Sequence, residues 1–439
     1  MNDSGPQKTA IIGAGPAGLA AGRALMAHGI PFEIFEKHSD AGGIWDMENP
    51  GSAMYRSAHF ISSKTKSGFA GYPLPHDYPD YPSHRQILEY IRAFAREMGL
   101  YPHIRFSQNI VRAERTAAGW SLHMPGGSVE QFSHLIAAPG TNWAPNRPDI
   151  SGAFDGEVIH SVDYTSPEQM TGKRVLVVGA GNSGCDIACD AARSASNAFI
   201  SLRRGYHFIP KHILGKPADV FAATGPKLPV WAAQRVFGIL LRAIVGDTAK
   251  LGLPKPEHRI LESHPIVNDQ IIHHLRHGDI RVRPDVARFE GGSVVFKDGS
   301  REDIDLVILA TGYDWPVPFI DRAILDWQDA RPELYLNVFA PRDERLFVMG
   351  FLESNGGIYS ALDDTADLVA RAIKARLSDP AAHARLRALT SLSPPDLSGG
   401  IKLIKTARHA HYVDVDGFKK ELKRFRRKLG WDGIAALAG

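Results

Sequence analysis

The chain has 439 residues, 44% hydrophobic and 23% charged, with a net charge of +3. That length supports two or three domains with buried cores, and the apolar fraction excludes a disordered chain. Basic residues are dispersed except in Phe418–Lys428, where Glu421 and apolar residues at helical spacing suit a solvated helix face rather than an anion or membrane patch; nucleic-acid binding has no support.

Cys185 and Cys189 share one helix face without CxxC spacing, which excludes a disulfide framework and a redox pair. The first ten residues lack the basic and apolar regions of a signal peptide. The most apolar stretch, Val230–Val245, is interrupted by Gln234, Arg235 and Arg242, so it cannot span a bilayer. A soluble cytoplasmic protein with no transmembrane segment is expected.

Ala10–Ile12 reads as a buried strand that ends on Gly13, Gly15 and Gly18, with Pro16 and Ala17 between the last two. An Ala-rich helix follows and stops at Gly29. The first glycine permits a tight turn, the second a close backbone approach to pyrophosphate, and the third close packing of helix on strand. Phosphates then sit at the helix N-terminus, where free N–H groups favour anions. The next strand, Pro31–Phe35, ends in Glu36 and Lys37. An acid at that place holds a ribose hydroxyl and repels a 2′-phosphate.

An amphipathic helix starts near Ser83, with Ile87, Leu88, Ile91, Phe94 and Ala95 on one face. Ile104–Val111, Trp120–Met124 and His134–Ala138 read as strands. The segment Phe154–Tyr164 then has the spacing Phe-x-Gly-x-x-x-His-x-x-x-Tyr. It leads into a second strand, Arg174–Val178, and a second turn of Gly179, Gly181, Asn182, Ser183 and Gly184 that opens the helix Cys185–Arg193. Here the following strand, Asn197–Leu202, ends in Arg203 and Arg204 instead of an acid. Guanidinium groups pair with phosphate oxygens through a planar fork, so this site is expected to take NADPH.

Gly215–Gly252 reads as an insertion with a helical middle, a local lid or packing helix in preference to a membrane contact. His273, His274 and His277 are mixed with apolar residues and lack nearby Cys or clustered acids, so no metal site is expected. Asp305–Leu309 is a strand ending in Ala310-Thr311-Gly312-Tyr313. Leu346–Gly350 is the last strand, and Gly356–Lys374 a helix.

Two Gly-rich turns with the Phe-x-Gly-x-x-x-His-x-x-x-Tyr linker between them resemble the flavin-containing monooxygenase family. So do Gly42-Gly43-x-Trp45, Lys255-Pro256-x-His258-Arg259, His264-Pro265-x-Val267-Asn268-Asp269 and the Ala310–Tyr313 turn, in order across about Thr9–Ala375. The resemblance implies an α/β fold of two Rossmann-like dinucleotide-binding domains, each a three-layer ββα/βα sandwich. The NADPH domain, 166–300 with the insertion at about 215–252, would be inserted in a discontinuous FAD domain of 1–165 and 301–439.

The same resemblance places FAD in the first site, with Gly43, Ile44 and Trp45 as a second contact, Ile110 near the adenine, and Thr311 and Gly312 approaching the flavin. It implies an N,N-dimethylaniline monooxygenase-like activity. By that resemblance NADPH would reduce the flavin, O₂ would add as a C4a-hydroperoxide, and an amine nitrogen or sulfide sulfur of a small substrate would attack the distal oxygen. His160 would order the link between the domains.

The family's usual Asn beside the flavin falls on Ile61, which offers no hydrogen bond; Ser62 could partly substitute or be a plain loop serine. Asn268, the second candidate catalytic residue, would lie near the nicotinamide or flavin, or cap the helix that follows. Tyr164 stands where the sister Baeyer–Villiger monooxygenases normally have Trp. A Baeyer–Villiger enzyme, an H₂O₂-releasing NADPH oxidase and a non-enzymatic flavoprotein sensor stay open as alternatives. So does a homodimer.

Overall fold

The computed structural model describes residues 8–226, 228–328, 331–404 and 411–431. The first seven residues, part of the stretch read above for a signal peptide, lie outside the described residues.

Two parallel five-stranded sheets organise the chain. In the first, Thr9–Ile12 lies between Phe32–Phe35 and His134–Ala137, with Ile104–Arg105 and Leu346–Val348 at the edges. In the second, Arg174–Val178 lies between Asn197–Ser201 and Leu306–Leu309, with Ile280–Arg283 and Glu157–His160 at the edges. Strands buried on both faces read as continuous apolar runs, as AII, VLVV and LVIL do here. Each sheet also carries a three-stranded antiparallel partner, Arg112–Phe132 in one case and Val286–Asp303 in the other. The fold is the expected α/β pair of Rossmann-like units.

The second sheet reaches beyond the expected 166–300 span. Leu306–Leu309 pairs in parallel with Arg174–Val178 on one side and with Glu157–His160 on the other. An apolar run announces a strand but not its partner, so the sequence alone does not tell which sheet Leu306–Leu309 joins. The expected strand Ile104–Val111 shrinks to Ile104–Arg105, because Ser107 adopts a positive φ of 56° that breaks the ladder. The helix expected over Gly356–Lys374 runs from Tyr359 to Ser378. A Cβ at Gly357 would stand 2.2 Å from the Lys66 carbonyl oxygen, so that glycine serves close approach to the 64–67 turn.

The helix His84–Glu97 starts as the sequence predicts. Ser83 accepts from Gln86 N while Gln86 accepts from Ser83 N, a capping box that contributes about 1 kcal/mol. Its buried face is Ile87, Tyr90, Ile91, Phe94 and Ala95, with Leu88 at the margin. The basic run near the C-terminus is the helix Val415–Leu429, which buries Phe418, Leu422, Phe425 and Leu429 and exposes most of its cations. The insertion forms helices Ala218–Thr224 and Val230–Val245. No described helix is long and apolar enough to cross a membrane.

Candidate active site

Each central strand delivers its Gly-rich turn to the same end of its sheet. Gly13 has φ +110° and Gly179 φ +106°, conformations that L side chains rarely adopt. A Cβ at Gly13 would lie 2.3 Å from the Ala138 carbonyl oxygen, and one at Gly179 would lie 2.5 Å from that of Ala310. The helices that follow begin at Pro16 and Asn182, with Gly15 and Gly181 as their N-caps. Neither N-cap carries a capping side chain, which leaves first-turn N–H groups facing the space ahead.

That space is one continuous cavity of about 1460 Å³, larger than the roughly 300–1,000 Å³ of a drug-sized ligand pocket. Gly13, Gly15, Pro16, Ala17, Glu36, Lys37, Gly43, Ile44, Trp45 and Ile110 line it from the first unit. Gly179, Gly181, Asn182, Ser183, Gly184, Arg203, Arg204, Thr311 and Gly312 line it from the second and from the turn between them. Ser62 is on the wall as well. Of the cofactor-binding and catalytic candidates named from sequence, Gly18 and Asn268 do not line it.

Glu36 is buried and accepts from Ala14 N at 2.6 Å and His38 N at 3.0 Å. Burial raises its carboxyl above the ordinary value, and these N–H bonds pull it back. Lys37 extends over the Trp143 ring, 4.0 Å from its centroid. Trp143 lines the cavity and was not singled out from sequence; the neighbouring Gly140 leaves room for it, since a Cβ there would meet its indole nitrogen at 2.7 Å.

At the second turn, Asn182 accepts from Val267 N at 3.0 Å and stands 3.3 Å from His264 Nε2. Arg203 is exposed, whereas Arg204 stacks its guanidinium on Tyr206, 5.4 Å from the ring centroid. Stacking holds one fork steady while the other stays free to meet a phosphate. Thr311 donates to Asn146 O, and Gly312, at φ +89°, offers its carbonyl to His160 Nε2 at 3.1 Å. Val162 N donates to His160 Nδ1 at 3.2 Å. One ring nitrogen thus donates and the other accepts, which describes a neutral imidazole, and burial lowers its pKa accordingly. His160 is a strut from the linker to the Ala310–Gly312 turn.

Ile61 is 38% exposed on the cavity wall, with Ser62 beside it. The Ser62 hydroxyl accepts from Ser67 at 2.8 Å. Of the two roles expected for Asn268, the structure shows the helix cap and not the place beside the nicotinamide or flavin. Asn268 is 4% exposed, accepts from Ile271 N at 2.9 Å and donates to Asp186 at 2.6 Å. Both ends of its amide are engaged in capping the helix and aiming Asp186. Asp186 does line the cavity, and burial raises its carboxyl above the ordinary value. It lies two residues beyond Gly184, close enough to the turn that the Gly-rich motif itself was the signal for it.

The residues fit two dinucleotides. Close glycine–carbonyl approach at each turn leaves room for a pyrophosphate but none for a side chain, and an acid ends one following strand where arginines end the other. FAD suits the first cradle and NADPH the second.

Comparison with known proteins gives the same reading. Residues 6–393 match the family model described as flavin-binding monooxygenase-like. Flavin-containing monooxygenase 5 of Cavia porcellus is 32% identical over 381 residues, covering 80% of this chain and 70% of the relative. Flavin-containing monooxygenase 3 of Homo sapiens is 32% identical over 401 residues, covering 85% and 75%. The solved flavin-containing monooxygenase of Stenotrophomonas maltophilia superposes with a TM-score of 0.66 at 19% identity, over 84% of this chain and 99% of that one. At that identity the likeness speaks for the fold.

Proposed function

The chain belongs to the flavin-binding monooxygenase-like family, and we propose that it oxygenates a soft nitrogen or sulfur atom of a small amine or sulfide. It is an FAD- and NADPH-dependent monooxygenase. Overall, NADPH, a proton, O₂ and substrate give NADP⁺, water and the substrate oxide. Bound flavin supplies the hydride acceptance and oxygen activation; the chain supplies binding, orientation and exclusion of water.

The observation that carries this reading is the single cavity shared by the two Gly-rich cradles. A dinucleotide held at Gly179–Gly184 and one held at Gly13–Ala17 would face the same cavity. Glu36 would hold the FAD ribose, with Gly43, Ile44, Trp45 and Ile110 along the cofactor. Arg203 and Arg204 would take the 2′-phosphate of NADPH. Ile61, Ser62 and the Thr311–Gly312 turn would wall the reacting end. A soft nucleophile in such a space needs no side chain as base, only a dry and shaped pocket.

The test is a panel of one thioether, one tertiary amine and one cyclic ketone, incubated with the FAD-loaded protein and NADPH. Sulfoxide and N-oxide formation supports the proposal. Lactone as the main product from the ketone, with no sulfoxide or N-oxide, overturns it.

A further inference from the structure

The wall loop Tyr55–Ser63 belongs to the first unit in sequence, yet three of its donors end on aspartates of the second. Tyr55 Oη donates to Asp186 at 3.0 Å, the Ser57 hydroxyl donates to Asp190, and Ser63 N donates to Asp219 at 2.7 Å. Asp186 and Asp190 are one turn apart on the helix Asn182–Ser194, so they present both acceptors on one face. Asp219 sits in the first turn of the insertion's helix Ala218–Thr224.

Each acceptor is itself oriented. Asn268 holds Asp186, Tyr164 donates to Asp190 at 2.9 Å, and Val220 N donates to the second oxygen of Asp219 at 2.8 Å. The insertion is fastened to the same region by Tyr81, which donates to Lys211 O and accepts from Ala218 N. Within the loop, Phe60 N donates to Pro82 O at 2.8 Å, so Ile61 and Ser62 are pinned on one side by the first unit and on the other by Asp219.

We propose that Asp186, Asp190 and Asp219 are positioning residues. They hold the Tyr55–Ser63 loop in register with the NADPH side and thereby set how much oxygen reaches substrate rather than leaving as H₂O₂. The inference rests on the monooxygenase reading above. The physical reason is specific to this loop. Ile61 contributes shape but no hydrogen bond to the wall, so the wall's effect depends on where the backbone is held. A hydroxyl or amide bond to a carboxylate is stronger than one between neutral groups, which makes three such bonds an effective fixture.

The test uses the FAD-loaded protein with Asp219→Ala, Asp219→Asn, Tyr55→Phe and Ser57→Ala. Hydrogen–deuterium exchange is read at the Ser63 amide and across 55–67, beside the H₂O₂ formed per NADPH consumed. Asp219→Ala should speed Ser63 exchange about tenfold, the loss of one such bond, with the helix Pro16–Ala27 unchanged. Asp219→Asn keeps an acceptor oxygen and should fall between. All four variants should raise the H₂O₂ fraction while retaining FAD. Unchanged exchange in 55–67, or faster exchange spread over both sheets, overturns the proposal. Wild-type protein that yields no oxide would defeat the functional reading instead, and the exchange result would still decide whether the aspartates hold the loop.

Discussion

Gly184 packs so closely on Gly179 that a Cβ there would stand 2.1 Å from the Gly179 carbonyl oxygen. Gly18 repeats the relationship with Gly13 at 1.8 Å. In each case the obstacle is backbone, which cannot swing aside as a side chain could. Gly18→Ala should therefore empty the protein of FAD, and Gly184→Ala should abolish NADP⁺ binding while FAD is retained. Flavin absorbance after desalting and calorimetric titration with NADP⁺ check the two halves separately.

Arg203 and Arg204 stand where the first cradle has Glu36. Hydrogen bonds to charged groups are worth about 1.5–3 kcal/mol, so replacing both arginines with Ala should raise the KM for NADPH roughly 10- to 100-fold. NADH lacks the 2′-phosphate, and its KM should hardly move. Steady-state kinetics with both nucleotides read the difference. Equal losses for both would remove the arginines from phosphate recognition.

Ile61 is exposed on the cavity wall where the family usually places Asn. An Asn side chain there brings one acceptor and two donors. Ile61→Asn should lower the H₂O₂ released per NADPH in the presence of a good sulfide. Peroxide assay beside NADPH consumption checks it.

Asn268→Ala should lower stability by about 2 kcal/mol, since it removes a helix-capping acceptor and leaves the buried Asp186 short of a donor. Asn268→Asp should be worse, because it sets a second carboxylate against Asp186. Thermal melting of the three proteins gives the order.

Acid stability follows from His411, which is 5% exposed and stands with Nε2 2.7 Å from Pro332 O. Burial lowers its pKa to about 4, against about 6.5 in an unfolded chain. As pH falls from 6.5 toward 4 the unfolded state binds a proton that the folded state refuses, so stability is lost in that window. One such group contributes up to about 3 kcal/mol. His134, lowered by burial to about 3, acts in the same direction. His411→Gln keeps an N–H for Pro332 and should flatten the decline in Tm between pH 7 and pH 4.5.

The nucleotide cradles were legible because their chemistry dictates residue type. Only glycine tolerates the approach of Gly13 to Ala138, and an acid or an arginine at a strand end follows from the presence or absence of a phosphate. Pairing across long sequence distance was not legible. Periodicity marked Leu306–Leu309 as a strand, but nothing local said that it would lie between Arg174–Val178 and Glu157–His160. Asn268 kept two readings open until its amide was seen between Ile271 N and Asp186. Asp219 gave no sequence signal at all, since its meaning lies in Ser63, a residue of another unit.

The most direct measurement is a turnover in ¹⁸O₂ with a thioether, FAD-loaded protein and NADPH, counting NADPH oxidised, sulfoxide formed and H₂O₂ released. Sulfoxide carrying one ¹⁸O atom, formed in proportion to NADPH consumed, is the expected result. Oxidation of NADPH with all the oxygen recovered as H₂O₂, whether or not thioether or amine is present, would contradict it.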